Sequence, residues 1–215
     1  MARDLESKTA KDELKVTFGW QGISYSVRTK SGKKDILSNV SGFLITETGL
    51  IVGEMLAVMG PSGCGKTTLL NILSRRLKGP NVEGQQFFNH SIVDDTTMRF
   101  MSTYVEQEDH LTGSLTVAET IDFAAKLALP RSVSSAERRK RTADLLRSFG
   151  LVPVENSYIG TPFKRGISGG QKRRVTTASQ LVTLPKIMFL GFQRAILKEA
   201  HVRRTYLRIG QYKRL

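Results

Sequence analysis

Nine consecutive residues carry the clearest chemistry in the chain: Gly60, Pro61, Ser62, Gly63, Cys64, Gly65, Lys66, Thr67 and Thr68. They fit the pattern G-x-x-x-x-G-K-[ST], which is a phosphate-binding loop. Glycines let successive backbone N–H groups converge on phosphate oxygens without a Cβ in the way. A helix opening near Lys66 turns the positive end of its dipole toward the same anion. The Lys66 ammonium can reach the β- and γ-phosphates of a nucleotide, and the Thr67 hydroxyl can ligate Mg2+. Cys64 fills a variable position of the loop and reads as a small spacer, neither a redox group nor a nucleophile. The alternative is a chance glycine-rich turn. The context argues against it, because a mostly apolar run precedes the loop at 50–59 and a helical segment follows at 68–77.

Several further elements are legible around that loop. Residues 16–27 place Val16, Phe18, Trp20, Ile23, Tyr25 and Val27 in partial alternation, which predicts a strand or hairpin. A turn at 30–34 separates it from a second strand-like stretch at 36–44. Residues 82–101 are mixed and polar, with no clear period. The spacing of Val117, Ile121, Phe123, Ala124, Ala125 and Leu127 predicts a helix over 116–129, opened by a Thr116/Glu119 capping-box pattern and ended by Pro130. A second helix is predicted from Ser134 and Ser135 to Phe149, stopping at Gly150. A third begins near Gly169 and ends before Pro185. Residues 187–190 read as a short buried strand. Residues 1–14 are polar and read as a loose lead-in.

The loop motif alone is shared by kinases, GTPases and ATPases. Three other segments narrow the class. Residues 104–119, with Gln107, resemble the Q-loop of ABC transporter ATPases. Ile167, Ser168, Gly169, Gly170 and Gln171, followed by basic Lys172, Arg173 and Arg174, resemble their signature motif. Residues 185–190 resemble the strand that carries their Walker B carboxylate. The basic run after the signature, with Val40-Ser-Gly and Gly53-Glu-Met-Leu before the loop, looks most like the G subfamily, the White and pleiotropic-drug-resistance group. The resemblance covers roughly residues 16–190.

That resemblance implies an α/β fold: a P-loop ATPase core with a parallel sheet, an N-terminal antiparallel β subdomain and a helical subdomain bearing the signature. It implies ATP and Mg2+ as ligands, with Gln107 as a Mg2+ and water contact and Thr67 as a metal ligand. It also implies a head-to-tail dimer with a second such domain, ATP lying between the Lys66 loop of one copy and Ser168 of the other. A transmembrane domain would be touched by the Gln107 loop, at the cytoplasmic face of a membrane. Ser168-Gly169-Gly170 reads independently as an anion site at a helix start or as a plain helix N-cap. Tyr25 is a candidate for the adenine-stacking aromatic, although the frame equally allows Val27.

The resemblance stops after Leu190. Gly191 and Phe192 stand where the family has a metal-positioning aspartate and a glutamate base, and neither side chain can do that work. His201 receives no role. No later segment is apolar enough for the strand expected between the loop strand and the Walker B strand. Residues 205–209 come nearest, but they include Arg208. The core is therefore expected to be incomplete at its C-terminal side, through a shifted reading frame or through real divergence. The expected organisation is a lead-in at 1–14, a partial nucleotide-binding domain at 15–190 and a basic tail at 191–215.

Bulk properties bound the rest. The chain has 215 residues, 40% of them hydrophobic, and a formal net charge of +14. Residues 191–215 hold seven Lys or Arg against one acid, so that stretch supplies +6 of the excess. Its Tyr206 and Tyr212 between basic residues are the sole support for nucleic-acid binding, and no specific nucleic acid is expected as partner. No apolar run approaches the roughly 18 residues of a membrane helix. The N-terminus lacks a signal-peptide core. Cys64 stands alone, so no intrachain disulfide forms, which fits a reducing compartment. Two functions remain: an ATPase subunit of a membrane exporter, or a catalytically silent ATP-binding fragment.

Overall fold

The computed structural model describes residues 15–30, 32–47, 55–161, 163–191 and 204–208. These fall into two compact units, one containing residues up to Arg99 together with the segment from Ala200, the other spanning Phe100–Glu199.

In the first unit, β1 (Lys15–Thr29) and β2 (Gly32–Glu47) form a long antiparallel hairpin. β1 also pairs antiparallel with β4 (Val82–Phe88), which in turn pairs with β5 (Ser91–Ile92), giving the order β2-β1-β4-β5. This is the expected antiparallel β portion. The register of β1 against β2 shifts between Trp20 and Ile23, and Phe18, Trp20, Ile23 and Leu37 are buried. At Gly84, φ 101, β4 passes close against β1: a Cβ there would lie 2.7 Å from the Gln21 carbonyl oxygen.

The loop strand is β3 (Met55–Met59), and α1 (Lys66–Leu73) follows the loop. The helix starts two residues earlier and ends four earlier than its sequence pattern suggested. Residues 50–54 of the apolar run lie outside the described residues. Leu69, Ile72 and Leu73 are the buried face of α1. Buried Gln86 of β4 donates from Nε2 to the Ile72 carbonyl at 3.1 Å, fixing the sheet to the helix end.

Two sequence expectations change here. Residues 82–101 are ordered as β4, β5 and α2 (Asp95–Met101). Their order was invisible to a periodicity search because β4 buries one polar residue, Gln86, beneath a largely exposed strand. Residues 204–208, set aside for their arginine, form β8 (Arg204–Arg208), parallel to β3 with Met55 opposite Arg204 and Met59 opposite Arg208. Ladder pairing uses main-chain N–H and C=O groups, which arginine supplies as well as valine does. An apolarity test therefore misses such a strand.

The second unit is mainly helical. β6 (Ser102–Val105) and β7 (Ile187–Leu190) pair in parallel. Between them in sequence lie α3 (Val117–Ala128), α4 (Ser135–Ser148), a short 3-10 turn (Val152–Val154) and α5 (Gly169–Leu181). All three helices fall within a residue or so of the predicted bounds, except that α5 stops four residues short of Pro185. Val117, Ile121 and Ala125 of α3, Leu146 of α4 and Val175, Ala178 and Val182 at α5 share one apolar core with Leu151 and Ile159. No described helix is long and apolar enough to cross a membrane.

Candidate functional site

The 60–68 motif follows β3 directly, as the sequence placed it: 60–65 are the loop and 66–68 the first residues of α1. Gly63 and Gly65 have φ values of 79 and 93, in the left-handed region that favours glycine. They serve different ends. At Gly63 nothing lies within 4 Å of where a Cβ would be, so the main chain is open to a ligand. At Gly65 a Cβ would lie 2.8 Å from Leu37 Cδ2 and 3.0 Å from the Ile36 carbonyl oxygen, so the loop is seated hard against β2. Gly65 is also the N-cap of α1 and makes no side-chain cap, leaving the first N–H groups of the helix to the loop and to any anion.

Lys66 is folded back onto its own loop. Its Nζ donates to the carbonyls of Gly60 at 2.9 Å and Pro61 at 2.7 Å, and lies 3.8 Å from Cys64 Sγ. Thr67 is exposed and Thr68 half-buried in the first turn of α1, while Pro61 and Ser62 are exposed on the loop. The residues fit a nucleoside triphosphate: an open glycine, a helix start without a cap, an ammonium and an exposed hydroxyl. When bound, Mg2+ would take Thr67 as its protein ligand on this loop and would neutralise phosphate charge.

Gln107 and the Ser168–Gln171 segment belong to the second unit. Ser168 is the N-cap of α5 and forms a full capping box. Its hydroxyl accepts from the Gln171 backbone N–H at 3.3 Å, and Gln171 Oε1 accepts from the Ser168 N–H at 2.8 Å. This is the N-cap reading; as an acceptor in the box, the hydroxyl keeps its own proton outside that contact. Gly169 and Gly170 are exposed, with nothing within 4 Å of a Cβ at either. A cavity of about 480 Å3 opens beside this start, with Ser168, Thr161, Phe163, Arg165 and Lys172 among its lining. Its two cations suit an anionic ligand. Arg165 was not singled out in the sequence, where it is one arginine among many.

The chain enters α5 through a tight crossing. Ile159 N–H donates to Leu115 at 2.9 Å, Gly160 N–H to Gly113 at 3.0 Å and Ile167 N–H to Tyr158 at 3.2 Å. A Cβ on Gly166 would lie 2.3 Å from the Ile159 carbonyl oxygen, so the approach to Ser168 is fixed by main-chain contact.

Gln107 itself is exposed, two residues beyond β6. Its carbonyl and that of Glu106 both accept from Arg173 of α5, the latter at 2.8 Å from Nη1. No spacing rule links residues so far apart in the chain, and this contact was not foreseen. Gly191 closes the end of β7, its N–H donating to Val105 at 2.9 Å. A Cβ there would meet Tyr104 Oη at 3.1 Å and the Val105 carbonyl oxygen at 3.2 Å, so a longer side chain would require Tyr104 to give way. Phe192 lies outside the described residues. Tyr25 and Val27 both lie on β1, the former opposite Leu37 of β2 and Val82 of β4, and neither is singled out as a base-stacking platform.

A strand, a glycine loop with an inturned lysine and a helix, accompanied by a helical unit with a Ser-Gly-Gly helix start, define a P-loop nucleotide-binding protein. Residues 46–190 match the sequence profile of the ABC transporter family. The chain belongs to that family, and the part it represents is the ATP-binding cassette domain. It is 38% identical over 173 residues to an ABC transporter G family member STR of Petunia hybrida, covering 80% of this chain and 21% of that protein. ABC transporter G family member 22 of Dictyostelium discoideum is also 38% identical, over 88% of this chain and 30% of its own length. The chain thus spans about a fifth to a third of these relatives. Among solved structures, the dimeric ATP-binding cassette MJ0796, in a post-hydrolysis state with ADP and Pi, aligns with a TM-score of 0.59 and 26% identity. That alignment covers 80% of this chain and 72% of MJ0796.

Proposed function

We propose that this chain binds Mg-ATP on the 60–68 loop as the nucleotide-binding side of a G-family membrane exporter, and that it does not itself turn ATP over. The observation that carries the binding half is the Lys66 loop: left-handed Gly63 open to a ligand, an uncapped helix start and the lysine ammonium on the loop carbonyls. Lys66 would exchange those two acceptors for phosphate oxygens, Thr67 would ligate Mg2+, and Gln107 would add a metal or water contact. The dimeric state of MJ0796 supports a second cassette as partner, and the family resemblance implies that Ser168, Gly169, Gly170 and Gln171 would face the nucleotide held by it. A membrane-spanning part of the transporter would receive the Gln107 loop on the cytoplasmic face.

The silent half rests on Gly191 and Phe192, which offer neither a carboxylate for Mg2+ nor a base for water. A positioned base contributes about 10²–10⁴-fold. Binding needs neither residue, so affinity and turnover separate.

Isothermal calorimetry tests the binding half. Lys66→Ala removes a charged hydrogen bond worth about 1.5–3 kcal/mol, so Mg-ATP affinity should fall roughly 10- to 150-fold. Equal affinity in both proteins would refute the loop as the site.

A further inference from the structure

Arg173, Thr176 and Gln180 lie at i, i+3 and i+7 on α5, one face of that helix. All three reach toward β6 or the segment that follows it. Thr103 Oγ1 donates to Gln180 Oε1 at 2.8 Å. Thr176 Oγ1 lies 2.9 Å from Asp109 Oδ1 and 3.1 Å from the Lys172 carbonyl oxygen, so its proton serves one of them at a time. Arg173 makes the densest contact. Nη1 donates to the Glu106 carbonyl at 2.8 Å and pairs with Asp109 at 3.3 Å, while Nη2 donates to the Gln107 carbonyl. Both charged side chains of that pair are only 18% exposed, so the pair is shielded from solvent screening more than a surface pair would be.

The guanidinium therefore grips two successive main-chain carbonyls of the loop that carries exposed Gln107, and Asp109 holds the guanidinium in place. Nη1 serves the Glu106 carbonyl and Asp109 while Nη2 serves the Gln107 carbonyl, a division between two nitrogens that a lysine, with one nitrogen on a differently shaped stem, does not reproduce. Arg173 also sits five residues into the helix that Ser168 caps, roughly 7.5 Å of helical rise from it.

We propose that Arg173, held by Asp109, is a positioning residue that fixes the Gln107 main chain to the Ser168 helix, so that the two nucleotide-facing segments of this unit move as one piece. This rests on the reading of Gln107 as a metal or water contact. It assigns Arg173 no contact with ATP. Its effect is exerted through the direction in which the Gln107 side chain leaves the loop.

Two readouts on the full chain test it. Amide hydrogen exchange of peptides covering residues 104–112, without nucleotide, reads the grip itself. Arg173→Ala should speed that exchange at least about tenfold, the equivalent of one charged hydrogen bond, while peptides from α3 and α4 stay protected. The second readout is the ratio of ATP affinity with Mg2+ to affinity in EDTA. Gln107→Ala should lower this ratio, Arg173→Ala should lower it by a similar factor, and the double variant should go no lower, as for two residues acting through one contact. Should Arg173→Ala fail to fold, Arg173→Lys serves in its place, since it keeps the charge and loses the fork.

Unchanged exchange at 104–112 would overturn the proposal. So would additive losses in the double variant, or a ratio that falls in Gln107→Ala but not in Arg173→Ala. A ratio that Gln107→Ala leaves untouched would instead remove the reading of Gln107, and the positioning role with it.

Discussion

Lys66 makes its best hydrogen bonds to the carbonyls of Gly60 and Pro61, residues of the loop that would hold its ligand. The ammonium thus stabilises the loop before any phosphate arrives, and phosphate has to out-compete two carbonyl acceptors. A polyanionic phosphate can do so, because it adds Coulomb attraction between opposite charges that a neutral carbonyl acceptor does not offer. The two inner glycines divide the remaining work. Gly63 leaves room for a ligand, and Gly65 leaves room for β2. Gly65→Ala should therefore destabilise the ligand-free protein by more than about 1 kcal/mol, since φ is 93 and the new Cβ meets Leu37 and the Ile36 carbonyl. Urea unfolding measures this, and a midpoint equal to wild type would show that β2 yields without cost. The loop's residue types were fully legible in sequence because phosphate chemistry dictates them. The seat of Gly65 against β2 was not, because it depends on a contact between residues far apart in the chain.

At the scale of elements, the helices that the sequence announced are those whose ends are written in side chains. Thr116 and Glu119 form the capping box on α3, and Ser134 caps α4 by accepting from the Glu137 N–H at 3.1 Å. The Thr116 backbone N–H, donating to Glu119 at 2.8 Å, and then the Thr116 hydroxyl hold the Glu119 carboxyl below its ordinary 4.5. A depressed carboxyl contributes stability that is present above 4.5 and disappears as the pH falls through the folded-state value. Glu119→Gln keeps an acceptor but does not titrate. The melting temperatures of wild type and variant should therefore converge on acidification from neutral pH, and a gap constant across that range would assign the loss to shape instead of charge. By contrast, β4 and β8 were missed. One buries a glutamine where a pattern search looks for an apolar residue, and the other pairs through its main chain with arginines at both ends. Capping is local chemistry and survives in sequence, whereas ladder pairing is set by a partner strand elsewhere in the chain.

For the molecule as a whole, the loop lies in one unit and the Ser168 helix start in the other, each with its own buried core. Membership of the ABC transporter family follows from residues 46–190, and the matched region ends at the position before Gly191. Under the proposed function, nucleotide binding persists although Gly191 and Phe192 supply no carboxylate for hydrolysis. The most direct test is to incubate the purified chain with Mg-ATP, collect it by rapid filtration and identify the nucleotide it retains. The expected result is retained ATP, unconverted, which Lys66→Ala largely abolishes. Retained ADP with phosphate released at about one per second, lost in Lys66→Ala, would contradict it by showing that another group supplies the missing carboxylate.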